Sequence, residues 1–312
     1  MNRVSALILP LLTLANLAQT PTTQSIPDPA ELVIVFQRQK DPVKVREDAD
    51  KFSAALSAEL KIRVTASIPT DYSASVQALV SKKADLAYVS AIPFLLARRD
   101  GNASVLLAES RPSTTTGEYQ TTYDSVFVVR KDSRLNSYDD LLASAGSVRM
   151  VFTSPTSTSG YVFPLARFVT QGLVAKAQDP REIFQSVAFG GSYTAALEQL
   201  LQDRADVAAV SDYTIEGKNA DVYLAPEKRA QLRVLSRTPG VPTHVLAARD
   251  GLSPEFKTKL KSAILKVSTD NPALLSSVYG ATRFVEVDEK SHLAPALRAI
   301  EKSALPLENL TR

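Results

Sequence analysis

The chain has 312 residues, 45% of them apolar, with 36 Lys and Arg against 33 Asp and Glu. This suits about two domains of roughly 100 to 200 residues and excludes disordered, collagen-like and, at an evenly scattered +3, nucleic-acid-binding classes. With no Cys there is no disulfide, thiolate zinc site, cysteine nucleophile or CxxC pair, and the two histidines, His244 and His292, lie too far apart for an HExxH helix.

The first twenty residues carry one charge at Arg3, an apolar run over 4–17 and then small and polar residues, which is the layout of a secretory signal peptide covering 1–18. The run is shorter than the ~20 residues that span a bilayer. With no Cys after it, a thioether lipid anchor is excluded, and the mature protein is expected to be soluble in the periplasm or another extracytoplasmic compartment. Residues 19–30 read as a flexible leader.

From Leu32 onward, β-type apolar runs alternate with amphipathic helical runs. Strands are expected at 33–37, 62–68, 84–91, 104–110 and 125–131. Helices are expected at 45–60, where Val45, Ala49, Phe52, Leu56 and Leu60 share one face, and at 72–82, entered through an Asp71 cap. The second half repeats the rhythm: strand VRMVFTS, helix 160–172, strand SVAFG, helix 193–203, then strands ADVAAVS, LRVLS and THVLAAR, and helix 254–268. Such alternation predicts α/β domains with largely parallel sheets. Two stretches, 72–91 and 193–212, each read as a Tyr-led helix, a turn, an Ala-Asp pair and a buried strand, which fits two domains of one architecture as well as any α/β unit.

The stretch FTSPTSTSGYVFP, residues 152–164, carries most of the chemistry. A strand runs into a hydroxyl-rich turn and then a helix. A helix start exposes unpaired amides at the positive end of the peptide dipoles, Ser157, Thr158 and Ser159 add hydroxyl donors, and Gly160 permits close backbone approach. Two readings follow: an oxyanion site, or ordinary capping by serines.

The pattern P-x-S-T-S-G-Y-x-x-P, here Pro155, Ser157, Thr158, Ser159, Gly160, Tyr161 and Pro164, resembles the signature of the periplasmic phosphate, phosphite and phosphonate-binding proteins of ABC importers. Other pieces follow in order over about 32–293: Asp71-Tyr72 with ALVSKKADLA, Tyr123 and Ser125 before VFVVRKDS, Tyr138-Asp139-Asp140-Leu141 at a helix start, and FGGSYTAALEQLLQDRADVAAV. The resemblance implies a type II periplasmic-binding fold, two α/β lobes joined by two crossing segments near 128–131 and 235–239. Lobe 1 would comprise 31–129 and 235–312, and lobe 2 would comprise 130–234. It also implies a small phosphorus oxyanion as ligand, a membrane ABC permease as partner, a monomer and no cofactor.

Carried over by position, Ser157, Thr158 and Ser159 match the run that holds the oxyanion, Tyr123 and Tyr72 match ligand-reaching tyrosines, and Asp212 stands where an acid receives the amino group of an aminoalkylphosphonate. Read without the resemblance, Tyr72 is also a helix-start staple, Tyr123 a strand residue at the lobe edge and Asp212 a loop cap. Tyr193 stands where the family commonly has His, replacing a group near pKa ~6.5 by a neutral donor near ~10, and Phe94 stands where many members have Tyr. The alternatives are another small anion in the same cleft, a sensor for a membrane receptor, or an enzyme on a similar fold. Against the last, the sequence has no GxSxG, SxxK, GxxxxGK[ST] or GxGxxG. No metal cluster stands out.

Overall fold

The computed structural model describes residues 29–303 and 305. The expected signal peptide, and all but the end of the expected leader, lie outside them.

The first part of the chain is β1 (Glu31–Phe36), α1 (Pro42–Leu60), β2 (Arg63–Ser67), α2 (Tyr72–Val80), β3 (Leu86–Val89), α3 (Ala91–Gly101), β4 (Ser104–Pro112) and the short β5 (Tyr119–Gln120). The middle part is β6 (Thr122–Arg130), α4 (Tyr138–Ser144), β7 (Arg149–Phe152), α5 (Phe163–Thr170), β8 (Ser186–Phe189), α6 (Tyr193–Leu201), β9 (Val207–Ser211), α7 (Pro226–Arg229) and β10 (Leu232–Pro242). The last part is β11 (Val245–Ala248), α8 (Pro254–Asp270), α9 (Pro272–Tyr279), β12 (Arg283–Val285) and α10 (Glu289–Ser303).

Local chemistry explains the helix starts that matter for the cleft. The Asp71 carboxylate accepts from the Ala74 amide at 2.7 Å to open α2, and the Ser192 hydroxyl accepts from Ala195 at 3.1 Å to open α6. The helix α3 was missed in the sequence, where AIPFLLA read as the end of a strand: seven consecutive residues of it are buried, so no polar stripe marks its period.

The strands form two sheets, β12-β4-β11-β3-β1-β2 with β5 on β4, and β10-β6-β9-β7-β8. Only β1 with β2 and β3, and β7 with β8 and β9, pair in parallel; the other pairings are antiparallel. The expectation of largely parallel sheets is therefore corrected. The βαβ units are parallel, whereas strands entering each sheet after the chain changes sheet run the other way.

Sheet membership also moves the expected crossings. Val128 pairs with Ala208 and Val234 inside the second sheet, so 128–130 and 236–238 are ladder, not passage. The chain changes sheet beside Thr121, between β5 and β6, and again at Thr243 and His244, between β10 and β11. These two points are tied together, since Thr243 donates its amide to Thr121 O at 3.0 Å and its hydroxyl to Glu109 O at 2.7 Å.

Each sheet has its own apolar core. In the first, Ile34, Phe36, Phe52, Leu56, Phe256 and Ile264 join α1 and α8 to one face. In the second, Phe127, Met150, Phe152, Phe168 and Phe184 do the same. A third cluster runs through the seam between the sheets and includes Val89, Ile92, Tyr123, Tyr193 and Tyr213. The two Tyr-led units are built alike. Asp85 accepts from the Val33 amide of β1, and Asp206 accepts from the Arg149 amide of β7, both through Oδ2.

Candidate functional site

The carboxyl ends of the parallel strands face one another across the seam, the place where open α/β sheets hold ligands. From the first sheet come the loop after β1 with Gln37 and Gln39, the start of α2 with Tyr72, and the start of α3. From the second come the turn after β7, the start of α6 with Tyr193, and the end of β9 with Ser211 and Asp212.

The hydroxyl run opens a single π-helical turn, Thr158–Val162, which leads directly into α5. Val162 donates its amide to Ser157 O and Phe163 to Thr158 O, so the first turn is widened, a form that recurs at functional sites. By position the amides of Thr158 and Ser159 are first-turn donors with no carbonyl behind them in the helix.

The three hydroxyls, all fully buried, do different things. Ser157 Oγ accepts from the Gly160 amide at 3.0 Å, so the capping reading holds for this residue. Thr158 Oγ1 accepts from the Ile92 amide at 3.0 Å, reaching across the seam to the first turn of α3. Ser159 Oγ lies 3.3 Å from Tyr123 Oη and 3.0 Å from Tyr193 Oη, while Ser125 donates to Ser159 O at 2.7 Å. Ser157, Thr158, Ser159, Tyr123 and Tyr193 are thus brought together as expected. Tyr72 is buried near Tyr193, Tyr223 and Tyr279, and its hydroxyl has the Gln37 side chain close by but outside hydrogen-bond geometry. Burial pushes the phenols of Tyr72 and Tyr123 well above their ordinary value, so both stay neutral donors.

Asp212 is placed differently. Its Oδ2 accepts from Thr114 Oγ1 at 2.6 Å and its Oδ1 from the Tyr213 amide at 2.8 Å, and burial raises its pKa. The carboxylate is engaged at the seam, in keeping with the loop-cap reading.

Gly160 is required by contact. A Cβ there would stand 2.2 Å from Thr153 Oγ1, 2.5 Å from Thr153 Cβ and 2.8 Å from Ser157 Oγ, and Thr153 is itself tied to Ala209 O at 3.0 Å. Gly160→Ala is expected to cost about 1 to 3 kcal/mol of overpacking, read by urea denaturation, with loss of ligand affinity because the turn must shift. A variant as stable as the parent would show that the turn has slack.

The other wall of the cleft is built from residues outside the motifs of the sequence analysis. Gln39 accepts hydroxyls from Tyr223 at 3.2 Å and Tyr213 at 3.5 Å, and its backbone carbonyl accepts the Tyr193 amide at 3.0 Å. Beneath lies a fully buried cluster. Glu109 accepts from Arg111 Nε at 2.9 Å and from the phenol of Tyr88, and His244 Nδ1 lies 3.2 Å from its Oε1. Arg111 also donates to Tyr279 O at 3.1 Å and rests 3.5 Å from the centre of the Tyr213 ring. Burial alone would raise the Glu109 carboxyl, but Arg111 and His244 outweigh it and hold it at about 2.

Two further cavities do not contain the hydroxyl run. One, of about 510 Å³, lies between α5, β10 and α10 and is lined by Phe163, Arg167, Arg298 and Lys302. The other, of about 430 Å³, opens at the seam beside Arg111, Tyr213 and Tyr279. Among the described residues no group of three or more His, Cys, Asp and Glu could hold a metal ion, and no helix is long and apolar enough to cross a membrane.

Two α/β lobes that face each other across a wall of hydroxyls and amides define a two-lobed solute-binding protein. Solved structures agree on the fold. A binding-protein component of an ABC phosphonate transporter from Pseudomonas aeruginosa superposes with a TM-score of 0.74 at 22% identity, covering 90% of this chain and 94% of that one. PhnD1 of Prochlorococcus marinus, in complex with methylphosphonate, also gives 0.74 at 22% identity, covering 88% and 98%. This chain has the two-lobed type II periplasmic-binding fold.

In sequence, residues 34–293 match the family described as ABC transporter, phosphonate, periplasmic substrate-binding protein. The chain belongs to that family, and it is a binding protein rather than an enzyme. The phosphonates-binding periplasmic protein of Escherichia coli is 26% identical over 209 residues, which are 67% of this chain and 58% of that protein's length.

Proposed function

We propose that the protein captures a small phosphorus oxyanion, a phosphonate, phosphite or phosphate, in the cleft between its lobes and presents it to the membrane permease of an ABC importer. The observation that carries this reading is that, of seven buried side-chain polar atoms without hydrogen-bond partners among the described residues, four, Gln39 Nε2, Tyr72 Oη, Ser211 Oγ and His244 Nε2, lie at the seam that the hydroxyl run faces. Buried polar atoms are ordinarily satisfied, so four unsatisfied ones around a hydroxyl cluster fit a site that a polyoxygen ligand completes. The buried cation beside the cleft, Arg111, is already committed to Glu109, which leaves hydroxyls and amides to hold the anion.

In this reading Ser157 shapes the turn, Thr158 and Ser159 grip the anion with Tyr123, Tyr193 and Tyr72, and Asp212 takes an aminium group only if Thr114 releases it. The protein would act as a monomer, without nucleic acid, after removal of its signal peptide. Titration calorimetry with phosphate, phosphite and methylphosphonate tests the ligand class, with methanesulfonate as the control of similar shape. Binding of a phosphorus oxyanion at least tenfold tighter than the sulfonate is expected. The reverse preference would overturn the reading.

Hydrogen bonds across the seam, from Ile92 to Thr158, Tyr193 to Gln39 and Asn219 to Gly280, fit a shut cleft. We take one lobe as 31–121 with 243–303, and the other as 122–242. Rotation about the two passages would open the cleft, and ligand would favour the shut state by its differential affinity. Small-angle scattering should show the radius of gyration fall on saturation with ligand. No change in a protein shown to bind would contradict the hinge.

A further inference from the structure

We infer that His244 is a ligand-contacting residue of this cleft, its Nε2 bonding the captured oxyanion from the side of the lobe passage; the inference rests on the phosphorus-oxyanion reading above. The ring is fully buried, and its two nitrogens have different fates. Nδ1 lies 3.2 Å from Glu109 Oε1. Glu109, held at about 2 by Arg111, is ionised and can only accept, so Nδ1 carries the hydrogen of that bond. Nε2, on the opposite edge of the ring, has no partner.

The surroundings of the ring connect it to the hydroxyl run. His244 stacks on Tyr123, with centroids 6.0 Å apart and planes at 11°, and Tyr123 bonds Ser159. It meets Tyr213 edge-on at 6.4 Å, and Tyr213 in turn packs against Tyr123 and Tyr193 and reaches Gln39. The remaining neighbours, Tyr88 and Tyr279, spend their hydroxyls on Glu109 and Gln37 O. Nε2 is thus left without a partner, while the hydroxyls of the rings packed against His244 are bonded elsewhere.

The backbone fixes the ring in place. Glu109 donates its amide to His244 O at 2.9 Å, Thr243 is bonded to Thr121 and Glu109, and His292 Nε2 lies 3.1 Å from Thr243 O. His244 therefore sits where the chain passes between lobes, near the axis of any closure. A group there keeps its place relative to both lobes and can contact ligand before the cleft shuts.

The chain has only two histidines, which makes the test clean. In ¹⁵N-labelled protein titrated with methylphosphonate, the Nε2 resonance of His244 should move, its Nδ1 resonance should move less, and His292 should serve as the unshifted reference. His244→Asn, whose amide sits about where Nδ1 does, keeps a donor for Glu109 and removes the ligand contact; affinity should fall about 10-fold to 100-fold. His244→Gln, whose amide reaches about as far as Nε2, should recover much of that loss. Methylphosphonate binding with an unmoved Nε2, or with Asn and Gln variants equally affected, would overturn the inference while leaving the ligand reading in place. Failure of the parent to bind any phosphorus oxyanion would remove both.

Discussion

Arg111→Met is expected to lower stability at pH 7 by about 3 to 5 kcal/mol, the cost of leaving a buried carboxylate without its cation. Glu109 is wholly buried, and Arg111 is the largest influence opposing that burial. The parent carboxyl is held at about 2 against an ordinary 4.5. Because the folded value is the lower one, its contribution is fully present above pH ~4.5 and is lost as the pH falls towards 2, a change of about 3 kcal/mol. In the variant, burial is opposed only by His244 and Tyr88, so the folded carboxyl rises and the slope reverses: stability falls as the pH rises through the new value. Urea denaturation between pH 4 and 8 reads both effects. Removing the acid as well, in Glu109→Gln with Arg111→Met, should recover much of the loss. A single variant within 1 kcal/mol of the parent at pH 7, with the parent's pH slope, would mean that the pair is solvated.

Thr158→Val is expected to weaken ligand binding on the order of 10-fold to 100-fold with little loss of stability within either lobe. The hydroxyl accepts from the Ile92 amide across the seam, which leaves its own hydrogen free to donate to a bound oxygen. Valine keeps the shape and loses both bonds, so the shut state is weakened and the anion loses one charge-assisted contact. Calorimetry of parent and variant checks this. Equal affinities would reduce Thr158 to a packing residue, as the capping reading of the run allowed.

Much of the cleft was legible because its chemistry is local. Ser157, Thr158, Ser159 and Gly160 are consecutive, and the strand-to-helix passage that presents them could be read from one short stretch. Tyr72 and Tyr193 could be read from the Asp71 and Ser192 caps that open their helices. The opposite wall is non-local. His244 reaches Glu109 over 135 positions and Tyr223 reaches Gln39 over 184, and no spacing in the sequence announces such meetings. A signal did exist at Glu109 and Arg111. A carboxylate and a guanidinium two residues apart in an apolar strand share a face, which points to a buried pair. Likewise Gln37 and Gln39 follow the first parallel strand, where ligands are expected. The crossings were misplaced because β6, read as the last strand of the first lobe, starts at Thr122 and pairs with β9 and β10 in the second sheet, and because β10 continues as ladder past the run LRVLS to Pro242.

A crystal structure of the protein grown with methylphosphonate would show where the anion sits. Phosphonate oxygens are expected at about 2.7 to 3.2 Å from the Thr158 and Ser159 hydroxyls, with at least one of Tyr72 Oη, Gln39 Nε2, Ser211 Oγ and His244 Nε2 satisfied by the same anion. A phosphonate seated instead in the basic groove beside Arg298 and Lys302, with the cleft hydroxyls still bonded only to one another and to Ile92 and Gly160, would contradict it.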